Sequence, residues 1–236
     1  MQTIGTFNFE LPATAQASSY RISYRTRGSS FVDFIFNKEN VSFTFHPDYP
    51  EQSILFSESK ENTTYKNYLK DIFAQQQKLD SLQVTAIRNP KLDFKKSYKA
   101  ALLKINSAQQ AYLESTQKLY IYPFVKASFR VNPPALKTNV KEYMSAILDT
   151  FFEPIDFSNQ ALVNSSFLMD RVTDYIFYLN YSEDATTQQA LYKSAVETVF
   201  TKIENSIFKK NVIELLIEKF EENNNLRMID FLFENY

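Results

Sequence analysis

The chain has 236 residues, 26 of them basic and 27 acidic, and its formal net charge of −1 gives no overall field to attract nucleic acid or an anionic membrane. It contains no cysteine, which excludes disulfides, thiolate catalysis and zinc–thiolate sites within these residues. It contains two glycines, so Walker A loops, dinucleotide-binding fingerprints and nucleophile elbows are excluded as well.

The first residues show no recognisable targeting signal. No apolar run approaches the roughly 20 residues that a membrane-spanning helix needs. Residues 1–7 have neither the basic leader nor the apolar stretch of a signal peptide. Strand-like alternation begins almost at once, so the chain either is cytoplasmic and starts abruptly or is preceded by further sequence. We expect the second.

Over the first quarter of the chain apolar residues alternate with polar ones, as in strands that bury one face. This pattern predicts strands at residues 6–11, 20–25, 31–36 and 41–46, with a candidate fifth at 53–56. Segment 31–36 is apolar on nearly both faces and is predicted to be the central strand, after a turn at Gly28. Short connections between the segments indicate an antiparallel meander.

From residue 65 almost to Tyr236, apolar residues recur every three to four positions, which is the pattern of packed helices. Long helices are predicted at 65–87 and 98–120, and a short one opens at Pro123. Asn139 with Glu142 resembles a capping arrangement at the start of the next helix. The remaining predicted helices span residues 166–180, 185–207, 211–222 and 225–236. No fixed repeat period is visible, so we predict an irregular bundle.

Together these patterns predict an α+β fold in which a small N-terminal antiparallel β-sheet precedes a large irregular α-helical bundle. The predicted domains are residues 1–58, a sheet whose start is truncated, and residues 59–236. The last apolar stripe, Leu226, Ile229 and Phe233, is still running where the sequence stops. This terminal helix either docks on its own bundle or leads into further sequence.

His46 is the one histidine of the chain. General-base catalysis requires an oriented partner and a nucleophile, and the sequence shows no convergent groups of this kind. The position of His46 beside a turn, in the polar parity of its strand, predicts a surface or turn histidine. The acidic residues at 218–222 have the pattern of a solvated helix face, without EF-hand spacing. We therefore predict no catalytic residue, no metal ligand and no cofactor, and expect that the chain is not an enzyme.

The nearest approach to a nucleic-acid surface is Arg21, Arg25 and Arg27, interleaved with Tyr20 and Tyr24. Basic and aromatic residues on one sheet face can bind single strands. Here the tyrosines have the opposite parity to Arg21 and Arg25, so we expect the tyrosines in the core and the arginines on the exposed face. No nucleic-acid partner is predicted.

Aromatic side chains provide the remaining candidate surface. The run FFEPIDF at residues 151–157 is interrupted by a proline and has the composition of a groove for a ligand or partner. Core packing is the more common fate of Phe, and it is the default interpretation. The candidate partner or ligand surface consists of Phe151, Phe152, Phe157, Phe233 and Tyr236.

Several stretches, taken together, resemble the N-terminal region of TlpA-type, thioredoxin-like envelope proteins of Gram-negative bacteria. They are GTFNF at 5–9, SYRI at 19–22, DFIFNKENV at 33–41, SESKEN at 57–62, FFEPIDF at 151–157 and FLFENY at 231–236. The resemblance implies a small β-domain and a helical region, followed by a thioredoxin domain with a Cys-x-x-Cys pair. Because this chain lacks cysteine, none of the family's redox residues can be assigned to it.

The resemblance implies a non-catalytic accessory or binding region of a thiol-disulfide oxidoreductase, exported to the periplasm or cell envelope. Such a region would present a protein partner or dock its own downstream thioredoxin-like domain. The alternative is a free-standing interaction or ligand-binding scaffold, cytoplasmic if the resemblance does not hold. A hydrolase that uses His46 or clustered carboxylates is the third hypothesis. No membrane insertion is expected, and oligomeric state is not predicted.

Overall fold

The computed structural model describes residues 5–24 and 30–236. It shows the predicted α+β fold, with small antiparallel sheets near the N-terminus followed by a large helical region. The predicted turn at Gly28 lies outside the described residues.

The described strands form two separate two-stranded sheets, so the predicted single meander is wrong. In the first sheet β1 (Ser18–Ser23) pairs with β2 (Phe31–Phe36), with Tyr20 opposite Phe34. In the second, β3 (Ser42–Thr44) pairs with β4 (Leu55–Glu58), and the short helix α1 (Pro50–Ser53) lies between them.

The outer edge of β2 explains why the two sheets do not merge. The backbone N–H of Ile35 donates to Asn62 Oδ1 at 2.6 Å, and Asn62 Nδ2 donates to the Ile35 carbonyl at 2.7 Å. This amide satisfies the two backbone groups that a neighbouring strand would otherwise bind. Strand β2 is therefore an outer strand whose edge is closed by the first turn of a helix, which corrects its predicted central position.

No strand forms at residues 6–11, which corrects the first predicted strand. The side chains of Phe7 and Phe9 are 79% and 69% exposed. Alternation of apolar and polar residues indicates which side chains share a face, but a strand forms only where a neighbouring backbone can pair with it. This segment has none among the residues that the structure describes.

The helices follow the predicted order. Their bounds are α2 Lys60–Arg88, α3 Lys95–Thr116, α4 Tyr122–Ala127, α5 Val140–Thr150, α6 Gln160–Val163, α7 Ser166–Thr173, α8 Ala185–Phe200, α9 Ser206–Glu222 and α10 Leu226–Asn235. Helix α7 continues as a π-helical turn, Asp174–Leu179. The short helix α6 was not predicted, because four residues are too few for a helical period to be visible.

One hydrophobic core runs from the sheet to the last helix. Helices α2 and α3 pack side by side and bury Tyr68 and Leu79 with Tyr98 and Ile105. The same buried cluster continues through α7 to α9 and includes Ile35 of β2. The predicted boundary between residues 58 and 59 falls next to Ser59, the N-cap of α2, whose side chain accepts from the Asn62 backbone N–H.

Candidate protein-binding surface

The structure places Phe151, Phe152 and Phe157 together, in the interior. Phe152 and Phe157 are buried, and Phe151 is half-buried. The Phe152 ring lies 4.9 Å from Phe151, 5.5 Å from Phe157 and 4.5 Å from Tyr175 on the π-helical turn. Such edge-on and tilted ring contacts are those of a packed aromatic core. This cluster thus holds the end of α5 against the π-helical turn that continues α7.

A shallow groove of about 360 Å³ lies beside this aromatic cluster, and Phe157 contributes to its wall. Its other lining residues include Asp156, Ser158, Lys202 and Glu204, so charged groups of both signs surround it. Hydrogen bonds from Ser158 hold the pKa of the Asp156 carboxyl below its usual value. That carboxylate is thus bound within its own turn. Ile155 and Phe157 are the apolar residues of the lining, fewer than its polar and charged residues, whereas ligand pockets are lined predominantly by apolar side chains.

Phe233 lies on α10 and Tyr236 is its C-cap residue, so both are far along the chain from the first cluster. Phe233 is 72% exposed, whereas Tyr236 is partly exposed and stacks on Phe200 with ring centroids 4.1 Å apart. The Lys209 ammonium group lies 5.5 Å from the centroid of the Phe200 ring and 5.2 Å from that of the Tyr236 ring. The stack fixes the end of α10 against α8 and α9 and leaves one side of the helix uncovered.

Helix α10 has two apolar faces, one of which is buried and the other partly exposed. Met228 and Leu232, four residues apart, are completely buried against the rest of the bundle. Leu226, Ile229, Phe233 and Tyr236 follow at spacings of three, four and three residues, which places them on one face. We call these four residues the α10 strip.

Two side chains of the α10 strip are well exposed to solvent. Ile229 is buried at the margin of the bundle, but Leu226 and Phe233 are 69% and 72% exposed. A helix spacing of seven residues sets these two side chains about two turns apart on the same side. Phe200 and Lys209, which flank Tyr236, were not predicted because they come from other helices. The spacing of the strip itself is readable from the sequence.

His46 lies in a turn before α1. Its Nδ1 accepts a hydrogen bond from the Asp48 backbone N–H at 3.2 Å, and its own backbone N–H donates to Ser53 Oγ at 2.7 Å. The Ser53 hydroxyl donates to the Tyr49 carbonyl at 2.5 Å. This hydroxyl is directed at the backbone and not at the imidazole, so the geometry does not prepare Ser53 as a nucleophile. The contacts give His46 a role in shaping the turn.

Arg21 joins the first sheet to the helices. Its guanidinium binds both carboxylate oxygens of Asp33 at 2.8 Å, and Nη2 also donates to Asp170 of α7 at 2.7 Å. It also stacks on Phe31, with 3.7 Å between the guanidinium carbon and the ring centroid. These bonds pair Nε and Nη2 with carboxylates, so this edge of the guanidinium is already occupied by anionic partners. Arg25 and Arg27 lie outside the described residues.

Tyr20 and Tyr24 are half-buried, which corrects the expectation that they belong to the main core. Tyr20 contacts Phe34 and Phe36 of β2, and Tyr24 lies 4.9 Å from Phe45. They therefore contribute to an aromatic layer between the two sheets. With so few strands this layer cannot be fully covered, so the expected parity is correct but the burial is incomplete.

Among residues 5–24 and 30–236, no group of three or more His, Cys, Asp or Glu side chains is placed to hold a metal ion. In the same part of the chain, no helix has both the length and the apolar character to cross a membrane. Comparison of the chain with protein-family models, with curated proteins and with solved structures finds no match.

Proposed function

We propose that this chain is a non-catalytic, protein-binding region of a thioredoxin-like protein of the cell envelope, and that the α10 strip is the surface that binds the thioredoxin-like domain. The observation that carries the proposal is the open second face of α10. Large apolar side chains scattered singly over a surface are normal. Two of them aligned on one helix face, next to a partly exposed tyrosine, form the kind of surface that docks on an apolar groove.

The choice of occupant rests on the sequence resemblance. The stretch FLFENY at 231–236 is one of the segments that resemble the TlpA-type proteins, and it contains Phe233 and Tyr236 of the strip. In that family a thioredoxin domain follows the helical region. A domain attached after α10 would be close to the strip at high effective concentration, so a small apolar contact would be enough to hold it.

The fixed end of α10 also favours this function. Stacking of Tyr236 on Phe200, and the nearby Lys209 ammonium group, hold the last residues against the bundle. The buried residues Met228 and Leu232 hold the helix itself. A partner would therefore meet a preorganised surface, which lowers the entropic cost of binding.

Site-specific photo-crosslinking in the organism of origin tests the proposal. The cross-linker replaces Phe233, and the matched control replaces Phe73 of α2, an equally large side chain that is 65% exposed. We expect cross-links from position 233, but not from position 73, to peptides of a domain that carries a Cys-x-x-Cys pair. Equal yields from both positions would contradict the proposal. Cross-links from 233 to a protein without such a domain would support the free-standing scaffold instead.

A further inference from the structure

One end of the α2–α3 hairpin collects basic side chains from two separate parts of the chain. The first part is the connection between the two helices, with the turns beside it. The second is segment 137–141, which leads into α5. It is held there because Gln83 Nε2 donates to the Lys137 carbonyl and Gln83 Oε1 accepts from the Lys137 N–H, each at 2.9 Å. The two parts contribute seven cations, which we call the hairpin-end patch: Arg88, Lys91, Lys95, Lys96, Lys99, Lys137 and Lys141.

The positive charge of the hairpin-end patch is not paired within the described part of the chain. Six of the seven cations are exposed and Lys137 is half-buried. None of them forms a salt bridge with a described carboxylate. The two nearest acidic residues in the sequence have other partners. Asp93 Oδ1 accepts from the Lys95 backbone N–H, and Glu142 Oε2 accepts from the Thr138 hydroxyl, both at 2.9 Å. Although the whole chain has a net charge of −1, this end therefore presents a positive field to solvent.

Three of these cations act against the stability of the helix that carries them. Lys95, Lys96 and Lys99 lie in the first turns of α3, where the positive end of the helix dipole disfavours positive charge. The N-cap residue is Phe94, whose side chain cannot accept a hydrogen bond. Departures from such local rules are expected where a surface serves function and not the fold.

Two apolar side chains lie among the cations. Leu92, in the turn between the helices, is 62% exposed, and Val140 is 61% exposed. The Leu92 backbone N–H donates to the Asn89 carbonyl at 3.0 Å, so the turn that carries this leucine is fixed. An apolar side chain at an exposed turn can enter the boundary between lipid headgroups and acyl chains while the lysines around it contact the headgroups.

We propose that the hairpin-end patch docks on an anionic lipid surface, with Leu92 at the boundary between headgroups and acyl chains. Six of the seven cations are lysines, which act as point charges on flexible stems and suit a fluid layer of headgroups. Recognition of one fixed carboxylate or phosphate would favour arginine. Contact of this kind is peripheral and needs no membrane-spanning helix. The patch shares no residue with the α10 strip, so this inference is independent of the proposed function.

Co-sedimentation of the intact chain with large unilamellar vesicles tests the proposal. Vesicles of phosphatidylglycerol and phosphatidylcholine in equal amounts supply the anionic surface, and vesicles of phosphatidylcholine alone are the control. We expect binding to the anionic vesicles that weakens as sodium chloride is added, because salt screens the attraction. Equally strong binding to the neutral vesicles, or no binding to the anionic ones at low salt, would overturn the proposal.

Paired variants with the same change in net charge locate the contact. Lys91→Gln combined with Lys96→Gln should lower the partition coefficient on anionic vesicles by roughly fivefold for each lysine removed. The matched control combines Lys202→Gln with Lys210→Gln, two exposed cations of the C-terminal half, and should leave the coefficient nearly unchanged. Equal losses for the two pairs would mean that binding follows net charge and not the patch, which would also overturn the proposal.

The absence of tryptophan from the chain allows a reporter at a single site. Leu92→Trp should show a shift of emission to shorter wavelength on anionic vesicles, whereas Tyr178→Trp, at a position that is 72% exposed on the π-helical turn, should show none. Vesicle binding without a shift at position 92 would contradict the assigned contact. Polyglutamate added at the same salt concentration provides the comparison with an acidic polypeptide. Binding to polyglutamate but not to anionic vesicles would identify an acidic protein as the partner instead.

Discussion

Two consecutive side chains, Glu61 and Asn62, connect the sheet to the helices. Both are buried, although they lie in the first turn of α2. The Glu61 carboxylate accepts from the backbone N–H groups of Tyr120 at 2.9 Å and Ile121 at 3.0 Å, just before α4. Asn62 closes the edge of β2 through Ile35. Each side chain satisfies buried backbone groups, so an apolar replacement would leave those groups without the hydrogen bonds described here.

Replacing Asn62 with Ala should lower the free energy of unfolding by about 2–4 kcal/mol, because two buried backbone groups of Ile35 lose their partner. Urea unfolding followed by circular dichroism measures the change. The control is Asn89→Ala, at an exposed position where the amide donates to the Thr85 carbonyl. A change of less than about 1 kcal/mol is expected there. Equal losses for the two variants would contradict the role of Asn62 in closing the sheet edge.

These residue-level contacts are not predictable from the sequence. Glu and Asn at the start of a helix are expected to face solvent or to cap the helix itself, and neither spacing nor composition points to backbone groups at positions 35 and 120. In contrast, the parity of Arg21 and Tyr20 was readable, since alternation along a strand is local.

At the scale of elements, helix signals in the sequence are local and strand signals are not. The Asn139 side chain accepts from the Glu142 backbone N–H at 2.9 Å, and Glu142 Oε2 accepts from the Thr138 hydroxyl at 2.9 Å. Both bonds join residues between positions 138 and 142. The residue types in this short segment are therefore enough to predict where α5 begins. The strand expected at 6–11 is wrong because pairing depends on a distant backbone that alternation does not specify.

Asn139→Ala should therefore destabilise the protein by about 1 kcal/mol through loss of the α5 cap. The control is Lys141→Ala in the same turn, which is exposed and leaves the cap intact. Thermal and urea unfolding of the two variants give the comparison. No difference between them would mean that the Asn139 bond does not determine where α5 begins.

Across the whole molecule, tyrosines replace tryptophan as large partners of the helix interfaces. Burial raises the pKa of Tyr65 to about 12, and it also raises the pKa values of Tyr98 and Tyr192. A raised pKa means that the folded chain holds the phenolic proton more tightly than the unfolded chain does. Stability from this source is complete below the unfolded pKa and is lost as the pH rises toward the folded value.

The protein should thus lose stability above about pH 10, where unfolded tyrosines begin to ionise. For Tyr65 alone the loss between about pH 10 and pH 12 should be roughly 1–3 kcal/mol. Urea unfolding at a series of pH values measures it. Tyr65→Phe should make the decline shallower, whereas Tyr178→Phe, at an exposed position, should leave it unchanged. A flat profile up to about pH 12 would contradict this account.

The central claim is that this chain is the accessory region of a thioredoxin-like protein, bound to its catalytic domain through α10. The most direct test is the intact mass of the natively expressed protein, detected with an antibody against this region and followed by thiol labelling. We predict a species well above the 27.6 kDa of this chain that carries a reactive thiol pair. A single species of 27.6 kDa without thiols would contradict the claim and leave a free-standing binding protein.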